Sequence, residues 1–291
     1  MVSKRKLNNT SEDPEETEQE LLKDFTQNGK EIPWREKKSN SVKMAEVFGH
    51  AKLGKKAERM ASCGHTLIFN DTDEGLKLSQ AYFCQIRLCP MCSWRRSLKI
   101  SFQNKKIIQV ANERHKLRWL FLTLTFKNPP ASELVESIKH MMASWNRFQG
   151  YKQVKDNVVG WFRGLEITKN RTNGTYNPHF HVLMCVKPSY FNKKDSYIKH
   201  EVWQKLWKKA MKIDDYNPRV HIQVVKVKKK MKTVRQTIVE INDSTEGLAE
   251  EKAIFEVSKY AVKDSDIINY DDIDDAAETA KLLDKALSYK R

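Results

Sequence analysis

The sequence lacks a long apolar run. No stretch approaches the roughly 18 consecutive apolar residues that would cross a bilayer. The first thirty residues are polar and acidic, so they do not have the apolar centre of a secretory signal. No internal repeat is visible. These absences lead us to expect a soluble, cytoplasmic protein.

Acidic residues are in deficit, with 37 Asp and Glu against 53 Lys and Arg and a formal net charge of +16. Such an excess favours a polyanionic partner, which means nucleic acid or an anionic membrane surface. The apolar fraction of 40% is near the globular norm, so most of the chain is expected to fold. The remaining features of the sequence favour nucleic acid.

Cysteine is scarce, and four of the five residues lie between positions 63 and 92. This is not the even framework of a secreted mini-protein, and a reducing cytoplasm keeps thiols free. Cys63, Cys84, Cys89 and Cys92 are separated by twenty, four and two residues and end in a Cys-Pro-Met-Cys knuckle. Because Zn²⁺ takes four tetrahedral thiolate ligands, this spacing predicts a zinc site. His65 is an alternative to Cys63, and four unrelated buried cysteines are the alternative to zinc.

Two basic clusters are candidate contacts to DNA. Arg95 and Arg96 follow the knuckle, where a zinc site would brace them, and Lys228, Lys229 and Lys230 lie in a second basic stretch. Lysine and arginine side chains neutralise backbone phosphates. Each cluster can equally be solvated surface charge.

The periodicity of apolar residues predicts an α+β fold. We divide the chain into a mobile arm of basic and acidic residues over 1–40, a helix and zinc-binding cysteine segment over 41–96, a mixed region over 97–270 and a C-terminal helix over 271–291. Helices are predicted over 41–61, 95–117, 130–148, 196–212 and 250–263, and strands over 118–126, 158–168, 179–187 and 219–227. This order favours an antiparallel sheet with helices on one face over a parallel doubly wound fold.

A pair of histidines and an upstream carboxylate predict a second metal site. His179 and His181 alternate along a predicted strand, so both imidazoles point to one face of the sheet. Glu166 lies among apolar residues of the preceding strand, where a carboxylate needs a positive partner. Together they offer a facial N/O ligand set that accepts Mg²⁺ or Mn²⁺. The alternative is two structural histidines with satisfied hydrogen bonds.

A late helix carries a candidate nucleophile. Glu256 lies four residues before Tyr260 and Lys263 three residues after it, so all three are predicted to share one helical face. A phenol has a reference pKa of about 10 and is a poor nucleophile at neutral pH. It would need an electrophile polarised by the metal site and by Lys263. Alone, the pattern is usually that of an ordinary exposed tyrosine on a helix.

Taken in order, three segments resemble the motifs of the HUH endonuclease superfamily, in particular its rolling-circle replication initiators. They are FLTLTF at Phe121 to Phe126, the Glu166 and His-Phe-His strands, and the Glu-x-x-x-Tyr-x-x-Lys helix. The likeness is greatest to Rep proteins of small Gram-positive plasmids, which also carry an upstream cysteine cluster. It runs from about position 34 to 266 and implies a ferredoxin-like or RRM-like variant sheet, with 97–270 as the nicking and joining domain.

The resemblance implies a DNA nickase and strand transferase. Tyr260 would attack a phosphodiester at the plasmid's double-strand origin, leaving a 3′-OH and a 5′-phosphotyrosine. Glu256 would activate water for the terminating cleavage, and Lys263 would neutralise charge on the phosphate. The implied partners are origin DNA, single-stranded or in a hairpin at the nick with duplex nearby, and a host helicase. The sequence leaves the oligomeric state open, with a homodimer as one option.

Two other functions share parts of this pattern. A conjugative relaxase or a single-tyrosine transposase uses the same chemistry, although the knuckle and Glu256 fit the replication group better. A zinc-bearing DNA-binding regulator without catalysis would leave the histidines and Tyr260 structural.

Overall fold

The computed structural model describes residues 31–73, 75–115, 117–192, 196–226, 248–259, 261–268 and 271–288. Three predictions therefore lie outside the described residues: most of the N-terminal arm, the Lys228–Lys230 cluster and the side chain of Tyr260. The helices are α1 Trp34–His50, α2 Gly54–Ala61, α3 Pro90–His115, α4 Leu134–Gly150, α5 Lys152–Asn157, α6 His200–Met211, α7 Glu250–Ser258 and α8 Ile273–Leu287. The strands are β1 Leu67–Thr72, β2 Gly75–Ala81, β3 Arg118–Thr125, β4 Val158–Lys169, β5 Tyr176–Val186, β6 Val220–Lys226 and β7 Leu248–Ala249.

The main sheet has the strand order β4-β5-β3-β6-β7. The first four strands are antiparallel, and only the two-residue β7 pairs in parallel. Gly174, with a φ of +69°, lies in the predicted turn between β4 and β5, where a residue without Cβ adopts the left-handed conformation most easily. The predicted α+β class with an antiparallel sheet is confirmed.

Helices cover both faces of the main sheet, whereas the sequence predicted one. Leu122 and Phe180 face α4 and α6 in one apolar core. Phe121 and Leu183, on the opposite face, pack with α3 and α7 in another. The reason is visible in β3, where successive residues from Trp119 to Leu122 are buried, a pattern that belongs to a strand covered on both sides.

The boundaries of the helices differ from the prediction, and three of the differences have a visible physical reason. The helix expected over 41–61 is two helices, because Lys52 has a left-handed φ of +60°. Helix α3 begins at Pro90 rather than Arg95, since proline suits the first turn of a helix. Helix α7 ends at Ser258 rather than Lys263.

The cysteine segment and the C-terminal helix share one core. Met44 and Phe48 of α1 and Met60 of α2 are fully buried, and they lie in the same apolar cluster as Ala280 and Leu283 of α8. The described part of the chain contains no helix with the length and apolar character of a membrane span.

Candidate active site and metal centres

Glu166, His179 and His181 meet on the sheet face that carries α3 and α7. Strand register pairs Glu166 with His179 and places Gly164 beside His181. The Glu166 Oε2 atom lies 3.0 Å from His181 Nε2 and 3.6 Å from His179 Nε2. One donor atom from each residue lies within 4.8 Å of the others. The structure thus brings the three predicted ligands together at one point.

Hydrogen bonds behind the imidazoles orient them toward that point. His179 Nδ1 lies 3.0 Å from the carbonyl oxygen of Asn177. A carbonyl only accepts, so Nδ1 donates in this contact and Nε2 faces the Glu166 carboxylate, where a cation would bind. His181 Nδ1 lies 3.2 Å from the hydroxyl of Thr123, its register partner on β3. The sequence analysis did not single out Thr123, although its alternation in FLTLTF places it on the histidine face.

The Glu166 carboxylate is ionised despite being buried. Burial alone would raise its pKa, but hydrogen bonds to His179 and His181 lower the pKa below its ordinary value. Two imidazole nitrogens and one carboxylate oxygen form a donor set that suits a divalent cation with open positions for other ligands. The three residues therefore fit a divalent metal ion.

Helix α7 lies directly against this site. The Glu256 Oε2 atom is 4.0 Å from His181 Nε2 and 2.6 Å from Lys259 Nζ. A Cβ on Gly164 would lie 2.6 Å from the backbone oxygen of Val257, so only glycine permits this approach. The sequence analysis did not single out Lys259. Its ion pair with Glu256 joins residues three positions apart and is not part of the motif that the analysis used.

Both chain neighbours of Tyr260 are described. Lys259 pairs with Glu256 as above, and the Ala261 carbonyl oxygen accepts a hydrogen bond of 2.7 Å from the amide of Ile167, the residue after Glu166. The backbone on either side of Tyr260 is thus bound beside the histidine site.

Lys263 does not share a helical face with Glu256, contrary to the prediction. It is exposed and lies beyond the end of α7, because the chain leaves the helix to pair with the edge of β4. Asp266 follows in the same segment, and its Oδ2 is buried without a hydrogen-bond partner among the described residues. Burial raises the pKa of Asp266, and the charge of Glu166 raises it further, while Lys263 and Arg171 lower it.

The four cysteines form a second cluster. They are free thiols, and their sulfur atoms lie within 4.8 Å of one another, with Cys92 Sγ 3.5 Å from Cys63 Sγ and 3.6 Å from Cys84 Sγ. A tetrahedral Zn²⁺ with bonds of about 2.3 Å requires sulfur separations of about 3.8 Å. The backbone amides of Cys84 and Gln85 donate to Cys63 and Cys92. The cluster fits a structural zinc ion.

The crowded sulfurs have pKa values that are shifted in opposite directions. Hydrogen bonds with the neighbouring cysteines, Cys63 first, lower the pKa of Cys89 and raise that of Cys84. A bound cation would remove this competition, since it stabilises all four thiolates. His65 is exposed and lies outside the cluster, so Cys63 is the residue that completes it.

The arginines after the knuckle have different surroundings. The Arg95 guanidinium lies 3.7 Å from the ring centre of Phe83 and 5.7 Å from that of Trp34. Arg96 is exposed. Arg96 is therefore the more accessible of the two predicted DNA contacts.

Comparison with known proteins agrees with these motifs. The sequence model of the family described as "Replication protein" matches residues 75–291. "Protein rep" of Bacillus amyloliquefaciens is 46% identical over 286 residues, which cover 95% of this chain and 82% of that protein. "Protein rep" of a Bacillus species is 48% identical over 84% of this chain and 78% of its own. "Protein rep" of Streptococcus pneumoniae serotype 2 is 41% identical over 85% and 73%. No solved structure matches this chain. The chain belongs to the Rep family of replication proteins.

Proposed function

We propose that this protein initiates rolling-circle replication of a plasmid by nicking and rejoining DNA at the double-strand origin, with Tyr260 as the nucleophile. One observation carries the proposal: the Glu166, His179 and His181 donor set lies beneath α7, the helix that leads into Tyr260. The sheet is then an HUH-type sheet, and the family's role in replication supplies the substrate.

A divalent cation, Mg²⁺ or Mn²⁺, held by the three ligands would polarise a phosphate oxygen of the scissile bond. Tyr260 loses its phenolic proton and forms a bond to phosphorus, and the bond from phosphorus to O3′ breaks. The result is a 3′-OH for polymerase and a 5′-phosphotyrosine. The covalent bond to Tyr260 retains the energy that later rejoins the strand.

Glu256 would act in the terminating cleavage. Its carboxylate is held by Lys259 at 2.6 Å and lies 4.0 Å from His181 Nε2, so it faces the site at which the phosphate would bind. A carboxylate there can accept a proton from attacking water without forming a stable adduct. Lys263, which is exposed, and Arg96 would contact DNA phosphates.

The remaining assignments stay predictions. They include zinc at the four cysteines, contacts from Lys228, Lys229 and Lys230 to duplex DNA, a host helicase and a homodimer. A relaxase or transposase role would require different substrates for the same Tyr260 chemistry.

The decisive experiment detects the covalent adduct. The protein is incubated with Mn²⁺ and a single-stranded oligonucleotide spanning the plasmid's nick site, and tryptic peptides are analysed by mass spectrometry. We expect a nucleotide-bearing peptide that contains Tyr260. Tyr260→Phe should abolish it, while Tyr197→Phe, which alters an exposed tyrosine on the α6 side, should not. A zinc-bearing regulator would give no adduct in the unmodified protein.

We predict that Glu256→Ala separates the two cleavages. The first nick should proceed at a rate within about threefold of the unmodified protein, while the water-dependent release should fall by about 10²-fold or more, since a general base contributes about that much. A quenched-flow assay with end-labelled oligonucleotide follows both steps. An equal loss of both would remove the water-activating role of Glu256.

A further inference from the structure

We propose that Asn40 is a positioning residue for nicking, through which the cysteine module holds the chain that follows Tyr260. The inference rests on the proposed function. We call residues 261–268 the post-tyrosine segment, and we call α1, α2 and the four-cysteine cluster the cysteine module.

The post-tyrosine segment is held on two sides. On one side β4 and the hairpin turn bind it: Ile167 donates to the Ala261 carbonyl at 2.7 Å, and the Arg171 guanidinium donates to the carbonyl of Ser265. On the other side, the Asn40 amide nitrogen of α1 donates to Asp264 Oδ2 at 2.7 Å. The segment thus lies between the catalytic sheet and the cysteine module.

Apolar contacts accompany the hydrogen bonds. Val262 and Ile267 are 7% and 2% exposed and belong to the same apolar core as Leu88 and Cys89. Leu88, Val262 and Ile267 also line one small cavity. These contacts bury the post-tyrosine segment against the cysteine module, but apolar contacts are not directional. We therefore assign the position of the segment along the module to the hydrogen bond from Asn40.

Asn40 precedes Ser41 in the chain, and Ser41 contacts the four-cysteine cluster. Ser41 Oγ lies 3.4 Å from Cys89 Sγ and accepts a hydrogen bond from the Met91 amide at 3.1 Å. The other Asp264 oxygen, Oδ1, accepts from the Ser265 amide at 3.1 Å. Asp264, four residues after Tyr260, therefore accepts one hydrogen bond within its own turn and a second one from α1, each through a different carboxylate oxygen.

This arrangement gives Asn40 an effect on rate rather than on DNA affinity. A covalent step depends steeply on the position of the attacking atom, and a misplacement of about 1 Å can cost about 10²-fold. The Asn40 side chain bonds to Asp264 rather than to Glu166, His179 or His181. Its loss should lower the rate of adduct formation and leave binding of the oligonucleotide unchanged.

A charge swap tests the pair. In Asn40→Asp two carboxylates face each other at hydrogen-bond distance, and we expect adduct formation to slow by about 10-fold to 10²-fold. In the double variant with Asn40→Asp and Asp264→Asn, the side-chain amide nitrogen at position 264 donates to the carboxylate at position 40. The side-chain amide oxygen at position 264 still accepts from the Ser265 backbone amide. We expect this double variant to recover to within about threefold of the unmodified rate, because the hydrogen bond is restored with its direction reversed.

Hydrogen exchange provides a readout that does not depend on catalysis. The Ile167 amide, which donates to Ala261, should exchange about tenfold faster in Asn40→Asp and return to its original rate in the double variant. Asn192→Asp, the same chemical change on an exposed residue far along the chain, serves as the matched control and should alter neither measurement.

The outcomes separate this inference from the proposed function. No adduct in the unmodified protein would refute the proposed function, whatever Asn40 does. An adduct whose rate is unchanged in Asn40→Asp would overturn the positioning role alone. A double variant as slow as Asn40→Asp would overturn it too, including the case in which Asn40→Asp loses zinc or unfolds.

Discussion

The Glu166 carboxylate is the one negative charge on which both histidines of the site converge. It is 7% exposed, and its hydrogen bonds to His179 and His181 keep it ionised without a bound cation. A carboxylate that is already charged and oriented binds a metal ion with little rearrangement. The residue therefore stabilises the fold and prepares the site at once.

We predict that Glu166→Gln makes stability less sensitive to acid. The folded-state pKa of Glu166 is lowered, so its contribution is present above the unfolded value of about 4.3 and is lost as pH falls through the folded value. We expect the variant to be about 1–3 kcal/mol less stable at pH 7 and the difference to shrink below about pH 4. Urea unfolding at pH 7 and pH 3.5, without added divalent cation, measures this. A difference in the free energy of unfolding between the two proteins that is the same at both pH values would contradict this prediction.

Residue types and spacing predicted this part of the site well. His179 and His181 alternate on a strand, and Glu166 is a charge among apolar residues, so strand periodicity alone places all three on one face. Thr123 and Lys259 were not predicted, since their roles depend on register across strands and on a helical neighbour. Short-range sequence patterns therefore predict candidate metal ligands better than they predict the residues that orient those ligands.

At the scale of elements, the contact between α7 and β4 decides where α7 lies. Gly164 allows the Val257 backbone to approach the sheet, and Asn104 of α3 donates to Ser258 at 3.3 Å. The helix is thus fixed near its C-terminal end, two residues before Tyr260. Displacement of that end would move Glu256 away from His181.

We predict that Gly164→Ala displaces α7. Its Cβ would meet the Val257 carbonyl at 2.6 Å, and relief of such a clash typically costs about 1–3 kcal/mol. Both stability and the rate of adduct formation should fall. Gly160→Ala is the matched control on the same strand, because nothing lies within 4 Å of its added Cβ. Thermal unfolding and the adduct assay check both variants, and equal behaviour of the two would refute the close contact.

The end of α7 was predicted wrongly for a physical reason. The spacing of Glu256, Tyr260 and Lys263 is helical, and nothing local stops the helix at Ser258. The carbonyl of Ala261 is taken by the Ile167 amide, a donor on the edge of a sheet built from a distant part of the chain. Such tertiary competition for backbone hydrogen bonds cannot be read from a local pattern.

At the scale of the whole molecule, the cysteine module and α8 form one packed unit beside the main sheet. Lys56 of α2 pairs with Asp284 of α8 at 2.5 Å, and Lys169 of β4 pairs with Asp275 of α8 at 2.6 Å. Cysteine spacing predicted that the four thiols form one cluster, yet it could not predict that a helix about two hundred residues later would share their apolar core. Long-range packing of this kind has no short-range signal.

We predict that metal controls the reactivity of four of the five thiols. In the zinc-loaded protein at pH 7, N-ethylmaleimide should modify none of them. A zinc chelator should make Cys63, Cys84, Cys89 and Cys92 reactive. Cys185 should stay unmodified until denaturant is added, because it is 4% exposed and burial raises its pKa to about 11. Intact-mass analysis counts the adducts, and four modified thiols before chelation would exclude a structural metal.

Strand β4 is the outermost strand of the main sheet, and outer strands offer unpaired amides to other molecules. By occupying the Ile167 amide, the Ala261 carbonyl takes away one such pairing point. Molecules in which the Ala261 carbonyl no longer accepts from Ile167 would expose a longer unpaired stretch of β4 to other protein molecules. Loss of catalysis and the onset of intermolecular aggregation would then share a single origin.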